Sequence, residues 1–265
     1  MIDYEGFEEH MIDEEKAENT IESYIYALKE YAALFDELNK ANILSYKKWL
    51  LDKKAPSTVN LRLAGVNQYL KYIKKDELCV KRVRTPQKVS VENVITIDEY
   101  NALKKGLQED GDYAGYFLVQ YMAHTGARVS ELINITKNDV NNGYFEMWTK
   151  GKIRRIYLPQ SLIKESKEFI AGKEKYIFLN RYGERITTRG VTYKIKKYAA
   201  RYDIRREVMH PHSFRHLFAI EFLKRDSNLA LLADLMGHSS INTTAIYTRM
   251  SREEQKRRLE EAMDW

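Results

Sequence analysis

The sequence predicts a mainly α-helical protein of two domains with one small β-hairpin. Apolar residues recur at helical spacing along most of the 265-residue chain. Residues 144–158 instead form two strand-like stretches around a Gly-containing turn, which is the pattern of a hairpin. Helical periodicity fails between residues 78 and 94, where a basic segment containing Pro separates two periodic regions. The length suits one large domain or two smaller ones.

We place the domain boundary at this break. It gives a helical first domain of residues 1–86, a basic linker of residues 87–94, and a second domain of residues 95–265. The second domain ends in a charged tail, residues 251–265.

Three helices are predicted in the first domain. A capping-box pattern at Asn19–Glu22 opens the first, whose apolar positions run to Phe35. The second covers Ile43–Leu51. The third covers Ser57–Lys75, because a Pro-Ser pair breaks the chain and caps the next helix.

The second domain is predicted to be helical around its hairpin. A second capping box, Thr96–Glu99, opens its first helix. Gly237 is predicted to end a helix, and Ser239 or Ser240 to cap the next. The strands are residues 144–148 and 154–158, and the later helices are residues 160–171, 188–202, 213–224, 228–236, 241–249 and 252–262.

Composition indicates a well-packed protein with a basic body. Apolar residues make up 44% of the chain and charged residues 31%, which excludes a disordered chain. The net charge of +6 is uneven: residues 1–22 carry −8, residues 23–86 carry +7 and residues 87–265 carry +7. This distribution suits a polyanion partner such as nucleic acid, although a solvated basic surface has the same composition.

Other classes of protein are excluded by simple counts. The single cysteine, Cys79, permits no intrachain disulfide and no Cys-rich zinc site. The acidic start lacks the features of a signal peptide, and no apolar run approaches 18 residues. We therefore expect a cytoplasmic protein without a membrane partner.

Two motifs place cations before and within the hairpin. Arg128 and Glu131 are three residues apart and therefore share one helix face. Taken alone, this spacing also fits an ordinary surface ion pair. Lys150 and Lys152 flank the glycine of the hairpin turn, a position where lysines are often only solvated.

Two further motifs lie near the end of the chain. His212 and Arg215 share the face of a helix that follows Pro211. This motif contains neither a carboxylate nor a cysteine, so we predict no metal site there. His238 lies at a tight corner between two helices, and Tyr247 follows about two turns later.

Together these side chains suit the transfer of a phosphodiester. Arginine forks stabilise charge on nonbridging oxygens. A lysine can protonate the leaving alkoxide, and an imidazole can help to remove a proton from the attacking hydroxyl. No carboxylate cluster for Mg²⁺ is evident, so protein cations are expected to act without a metal or another cofactor.

The motifs resemble those of the tyrosine recombinase (phage integrase) family. The segments HTGARVSEL, PHSFRH and LMGHSSINTTAIYTRMS are similar to its two conserved boxes. Ala17–Lys75 resembles the core-binding domain and the chain after residue 90 the catalytic domain, in the two-domain manner of Xer-like recombinases. The residues that match the family's catalytic positions, in its order, are Arg128, Lys150, His212, Arg215, His238 and Tyr247.

The resemblance implies a role for each position. Tyr247 attacks the scissile phosphate and forms a 3′-phosphotyrosyl enzyme, without ATP or metal. Arg128 and Arg215 clamp the nonbridging oxygens. His212 assists proton transfer, and His238 hydrogen-bonds the phosphate.

The resemblance also implies a general acid and a supporting carboxylate. Lys150 is the expected acid, because its Lys-Gly pair is similar to the family's, while Lys152 lies two residues away and leaves the choice open. Glu131 matches the acidic position that supports the site.

Family architecture implies a C-shaped clamp on double-stranded DNA that carries an inverted-repeat crossover site. A homotetramer would join two sites, with residues 251–265 docking on a neighbour or folding back in cis, and with accessory proteins in some systems. The expected DNA contacts lie on the third helix, the basic segment before residue 87 and the hairpin: Arg62, Lys71, Lys74, Arg82, Arg84 and Lys152.

Two other functions fit the same set of residues. One is a type IB topoisomerase-like enzyme that relaxes supercoils, and the other is a DNA-binding or architectural protein without cleavage. Within recombination, integration or excision of a mobile element, dimer resolution and inversion are all open.

Overall fold

A computed structural model describes residues 2–85, 93–149, 152–238, 240–248 and 259–263 of the chain. The chain divides into two compact units, Met1–Gln87 and Lys88–Trp265. Both are helical, and the described part of the second adds one two-stranded antiparallel sheet. The mainly α fold with a small hairpin is therefore confirmed.

Four helices form the first unit. They pack around buried aromatic and aliphatic side chains that include Phe7, Tyr31 and Tyr46. A short 3-10 turn, Asp76–Leu78, follows the last helix. The helices are α1 (Tyr4–Asp13), α2 (Glu18–Ala32), α3 (Lys40–Lys53) and α4 (Pro56–Tyr72).

Three features of this unit differ from the predictions. Helix α1 was not predicted, and α2 begins before the proposed capping box. The N–H groups of Thr20 and Ile21 donate to the carbonyl of Ala17, so the helix starts without a side-chain cap. Helix α4 ends three residues early, because Lys74 has a left-handed backbone with φ of 56°.

An extended segment after α4 is fixed to that helix by two asparagines. The Asn67 side chain accepts from the Val80 N–H (3.0 Å) and donates to the Val80 carbonyl (2.9 Å). Asn60, seven residues earlier, makes the same pair of bonds to Val83 at 2.8 and 3.0 Å. The chain up to Thr85 therefore belongs to the first unit's packed structure.

The second unit has one large core, which includes Leu103, Tyr121, Ile195 and Phe214. Its 3-10 turns are Arg206–Val208 and Ala245–Thr248. The remaining elements are α5 (Ile97–Glu109), α6 (Tyr113–Thr125), α7 (Val129–Leu132), α8 (Lys137–Asn142), β1 (Tyr144–Thr149), β2 (Lys152–Tyr157), α9 (Gln160–Glu165), α10 (Lys167–Ala171), α11 (Thr188–Arg201), α12 (Pro211–Arg225), α13 (Leu229–Met236) and α14 (Ile241–Thr244).

Local signals in this unit were largely accurate. The capping box of Thr96 and Glu99 is present, as is the antiparallel hairpin, in which Tyr144 faces Tyr157. The left-handed Gly237 ends α13 and Ser240 caps α14. The hairpin turn at residues 150–151 lies outside the described residues.

Three predicted helices differ in extent. The helix at 160–171 breaks at Ser166, whose hydroxyl bonds to the Ile163 carbonyl and to Tyr121. The helix at 241–249 is a single α-turn followed by a 3-10 turn. Of the helix at 252–262, residues 259–262 are helical, and residues 251–258 lie outside the described residues.

Within the described ranges, no helix is both long and apolar enough to cross a membrane.

Asn67→Ala should release the extended segment after α4. The buried Val80 backbone would lose both partners, at a cost of about 1–3 kcal/mol. Amide hydrogen exchange across residues 80–85 should accelerate about 5- to 150-fold. Gln68→Ala is the matched control, because Gln68 bonds the exposed Glu14 instead. Equal exchange in the two variants would contradict the assignment.

Candidate active site

A left-handed glycine places the first arginine of the site. Helix α6 ends at Gly126, whose φ is 59°, and a Cβ there would collide with the Phe218 ring on α12. The chain then turns into α7 with Arg128 extended at its N-cap. The Arg128 N–H and guanidinium both donate to the Glu131 carboxylate, at 2.7 and 2.9 Å.

Three arginines meet at the C-terminal end of α13. The last carbonyls of a helix lack intrahelical partners and carry partial negative charge, so they attract cations. Here three successive carbonyls each accept from a different arginine. The pairs are Arg154 with Leu235 (2.6 Å), Arg215 with Met236 (2.6 Å) and Arg128 with Gly237 (3.2 Å).

Glu131 supports two of these arginines from a buried position. Its carboxylate pairs with Arg128 on one oxygen and with the buried Arg154 on the other. Burial by itself would raise the pKa of Glu131, but the hydrogen bonds from Arg154 and Arg128 outweigh it and lower that pKa. Glu131 therefore stays ionised and holds both guanidiniums in place.

Arg215 carries a buried positive charge whose hydrogen-bond partners are neutral. It is 3% exposed and donates to the carbonyls of Gly126 (2.6 Å) and Met236 and to Nε2 of His238 (3.0 Å). Burial, and then repulsion from Arg128, lowers the pKa of Arg215 to about 10, so it remains charged at neutral pH. A buried positive charge is costly without an anionic partner, so the position beside Arg215 favours the binding of an anion.

His238 lies directly after these carbonyls as a neutral ring. A guanidinium has no acceptor, so Nε2 of His238 accepts from Arg215 and Nδ1 donates to Thr244 Oγ1 at 2.7 Å. Burial and the charge of Arg215 lower the pKa of His238 to about 4. His212 is exposed at the start of α12, and desolvation and Arg215 lower its pKa as well.

Tyr247 lies in the 3-10 turn after α14. It packs against a small apolar cluster that contains Phe218 and Phe222. Its hydroxyl is 2.6 Å from Nδ1 of His216 on α12. Burial raises the pKa of Tyr247 to about 12, although the charge of Arg215 opposes the shift.

The structure therefore brings most of the predicted catalytic residues into one region. Lys150 lies outside the described residues, as does the side chain of Lys152. The residues that do meet come from four separate parts of the chain: Arg128, Glu131, His212, Arg215, His238 and Tyr247.

The side chains predicted to contact DNA in the first unit differ in whether they are free to bind a ligand or already engaged within the unit. Arg62 pairs with Glu30 at 3.1 Å and stacks over the Tyr26 ring at 4.3 Å, so its guanidinium is engaged within the unit. The other four have exposed side chains: Lys71, Lys74, Arg82 and Arg84.

Sequence reasoning missed Arg154 and His216. In β2, Arg154 and Ile156 are buried while Arg155 is exposed, so Arg154 occupies a core-facing position of the strand. A charged residue at such a position indicates a buried partner, and this alternation could have revealed it. His216 is one turn beyond His212, but nothing in the sequence indicated its partner.

Among the described residues, no group of three or more His, Cys, Asp or Glu side chains is placed to hold a metal ion. The charges of this site are mainly those of guanidiniums, which are not metal ligands.

The sequence matches the phage integrase family over residues 93–254, and the chain belongs to that family. Its similar relatives are named as tyrosine recombinases and, in one case, as a resolvase. This chain is thus a tyrosine recombinase by family.

Two relatives and one solved structure are similar along nearly the whole chain. The TnP I resolvase of Bacillus thuringiensis is 25% identical, with 96% of this chain and 97% of that protein covered. The tyrosine recombinase XerD of Staphylococcus haemolyticus is 28% identical, with 91% of each covered. The Tn1549 transposon integrase, solved in complex with transposon right-end DNA, is 15% identical, with a TM-score of 0.74 over 98% of this chain and 99% of that one. At that identity the structural likeness shows the fold.

Arg154→Met should destabilise the protein by about 3–5 kcal/mol, because it breaks a buried ion pair and leaves the Leu235 carbonyl without its arginine. Arg155→Met is the matched control: the next residue of the strand pairs with Glu146 in solvent, so its loss should cost under about 1 kcal/mol. Denaturant unfolding followed by circular dichroism measures both. Equal losses would show that Arg154 has no special role.

The pKa of His238 should be about 4 in the DNA-free protein when measured by NMR titration. With this pKa, His238 binds fewer protons in the folded state than in the unfolded state. The free energy of unfolding should therefore decrease through His238 as pH falls from about 6.5 to 4. Inorganic phosphate should raise this pKa, since an anion beside Arg215 favours the charged ring. A pKa that phosphate does not move would argue against an anion site here.

Proposed function

We propose that this chain is a site-specific DNA recombinase that cleaves and rejoins DNA through a 3′-phosphotyrosyl bond to Tyr247. One observation carries the proposal. Arg128 and Arg215 are anchored on neighbouring carbonyls of one helix end, next to His238 and close to Tyr247.

The charge balance of this region suits a phosphodiester. Three guanidiniums surround one carboxylate, and Glu131 accepts from two of them. A phosphate between Arg128 and Arg215 would give the buried charge of Arg215 an anionic partner. Charge that develops on the nonbridging oxygens during displacement would meet donors already held in place.

The proposed reaction is an in-line displacement. The Tyr247 oxygen bonds to phosphorus while the bond from phosphorus to the 5′-oxygen breaks. Lys150 donates a proton to that oxygen, and the phenolic proton passes to a base. Rejoining reverses these steps when a 5′-hydroxyl attacks the phosphotyrosine, so the bond energy is conserved and ATP is not needed.

Exposed basic side chains in both units would bind the DNA backbone. In the first unit they include Arg82 and Arg84 on the segment fixed to α4. In the second unit, Arg189, Lys196 and Lys197 lie exposed on α11, which sequence reasoning had not assigned to DNA. Affinity should therefore depend strongly on salt concentration.

A recombinase that exchanges strands between two DNA sites would act as a homotetramer, with the tail, residues 251–265, docking on a neighbour or folding back in cis. The relatives are named as a resolvase and as Xer recombinases, and a structural neighbour as a transposon integrase. These names support exchange between defined DNA sites, as in integration, excision or resolution, over relaxation of supercoils.

A covalent-adduct assay tests the proposal. We would incubate the full chain with fragmented genomic DNA of its source in EDTA, stop with SDS, and sequence the DNA ends captured on protein. Wild type should give adducts at a defined site, and Tyr247→Phe should give none. Tyr113→Phe removes an exposed hydroxyl on α6, outside the proposed DNA contacts, and should behave as wild type.

Each other result has a distinct meaning. Adducts in Tyr247→Phe would place the nucleophile elsewhere. DNA binding by wild type without adducts would indicate a DNA-binding protein that does not cleave. Relaxation of supercoiled plasmids without strand exchange would indicate a topoisomerase.

A further inference from the structure

The hydroxyl of Tyr247 has a specific partner that the family motifs did not indicate. Its oxygen lies 2.6 Å from Nδ1 of His216. The two rings are tilted by 54° with their centroids 5.5 Å apart. His216 belongs to α12, the helix that also carries Arg215. The same helix therefore positions the proposed nucleophile, through His216, and a proposed phosphate-binding arginine.

A neutral phenol needs a base to become a nucleophile. The hydroxyl of Tyr247 is half-buried and protonated at neutral pH, as phenols ordinarily are, and desolvation raises its pKa further, to about 12. Its proton must therefore leave as the oxygen attacks. A neutral imidazole with its proton on Nε2 presents a lone pair at Nδ1, and 2.6 Å is within the range for proton transfer.

The other two histidines of the site are placed for other tasks. His238 already uses Nε2 to accept from Arg215 and Nδ1 to bond Thr244. His212 is exposed, and the structure gives its ring no contact with the Tyr247 hydroxyl among the described hydrogen bonds. Its ring stacks on that of His216 with centroids 6.1 Å apart, so the two imidazoles occupy successive turns of α12.

We propose that His216 is the catalytic base for Tyr247. During cleavage the phenolic proton moves to Nδ1 of His216 as the bond from oxygen to phosphorus forms. During rejoining the protonated His216 returns that proton to the departing tyrosine oxygen. The inference rests on the proposed function, in which Tyr247 is the nucleophile and Lys150 protonates the 5′-oxygen.

The matched variants His216→Asn and His216→Ala separate a base from a positioning residue. An asparagine amide can occupy the place of Nδ1 and bond the hydroxyl, but it accepts no proton at neutral pH. The rate of single-turnover cleavage would be measured on a nicked duplex that carries the captured site. Both variants should be slowed about 10²- to 10⁴-fold, which is the usual contribution of a general base.

Three further measurements on the variants complement the cleavage rate. Added imidazole should restore part of the activity to His216→Ala, whose cavity can admit it. Cleavage and rejoining should slow equally, so the cleaved fraction at equilibrium should not change. DNA affinity and thermal stability of His216→Asn should match wild type, which excludes misfolding as the cause.

A substrate with sulfur at the 5′-bridging position distinguishes the two ends of the reaction. A thiolate leaves without protonation, so this substrate should rescue Lys150→Ala and leave both His216 variants slow. Rescue of the His216 variants would place His216 at the leaving group and overturn the proposal.

Two outcomes separate this proposal from the proposed function. If wild type forms Tyr247-dependent adducts and His216→Asn cleaves at the wild-type rate, His216 is not the base, while the proposed function stands. If wild type forms no such adduct on genomic DNA, the proposed function fails and this inference fails with it.

Discussion

The C-terminal end of α13 holds the functional site together. Helix ends leave carbonyls without intrahelical partners, and in most proteins water or a glycine turn satisfies them. Here arginines from three different parts of the second unit do so. Because each guanidinium is tied to a neighbouring carbonyl, the spacing of a single helix end sets the spacing of the cations. The three carbonyls belong to Leu235, Met236 and Gly237.

This arrangement constrains the residues around it. Gly237 has a φ of 61°, and a Cβ there would meet the Arg154 side chain, so both its conformation and its surroundings require glycine. Glu131 then neutralises two of the guanidiniums in part, while Arg215 keeps a buried charge with neutral partners. In the proposed reaction a bound phosphate would offset the cost of that charge, which would couple the stability of the site to its ligand.

Tyr247, the proposed nucleophile, lies at the edge of this cationic centre and is held by a different contact. Tyr247 packs against a small apolar cluster, and its hydroxyl hydrogen-bonds Nδ1 of His216. The helix α12 carries both Arg215 and His216, so one element presents the proposed phosphate-binding arginine and the proposed base.

The sequence by itself determined the helical periodicity, the hairpin, the cap at Thr96 and the glycine turn at Gly237, because local backbone and side-chain preferences dictate these features. It also placed the motif residues in a recognisable order. Only the tertiary structure decided which groups meet. Arg154 and His216 gain their partners from residues 23 and 31 positions away, and Arg62 is held by Glu30. Contacts at such separations depend on how elements pack, and no local pattern encodes them.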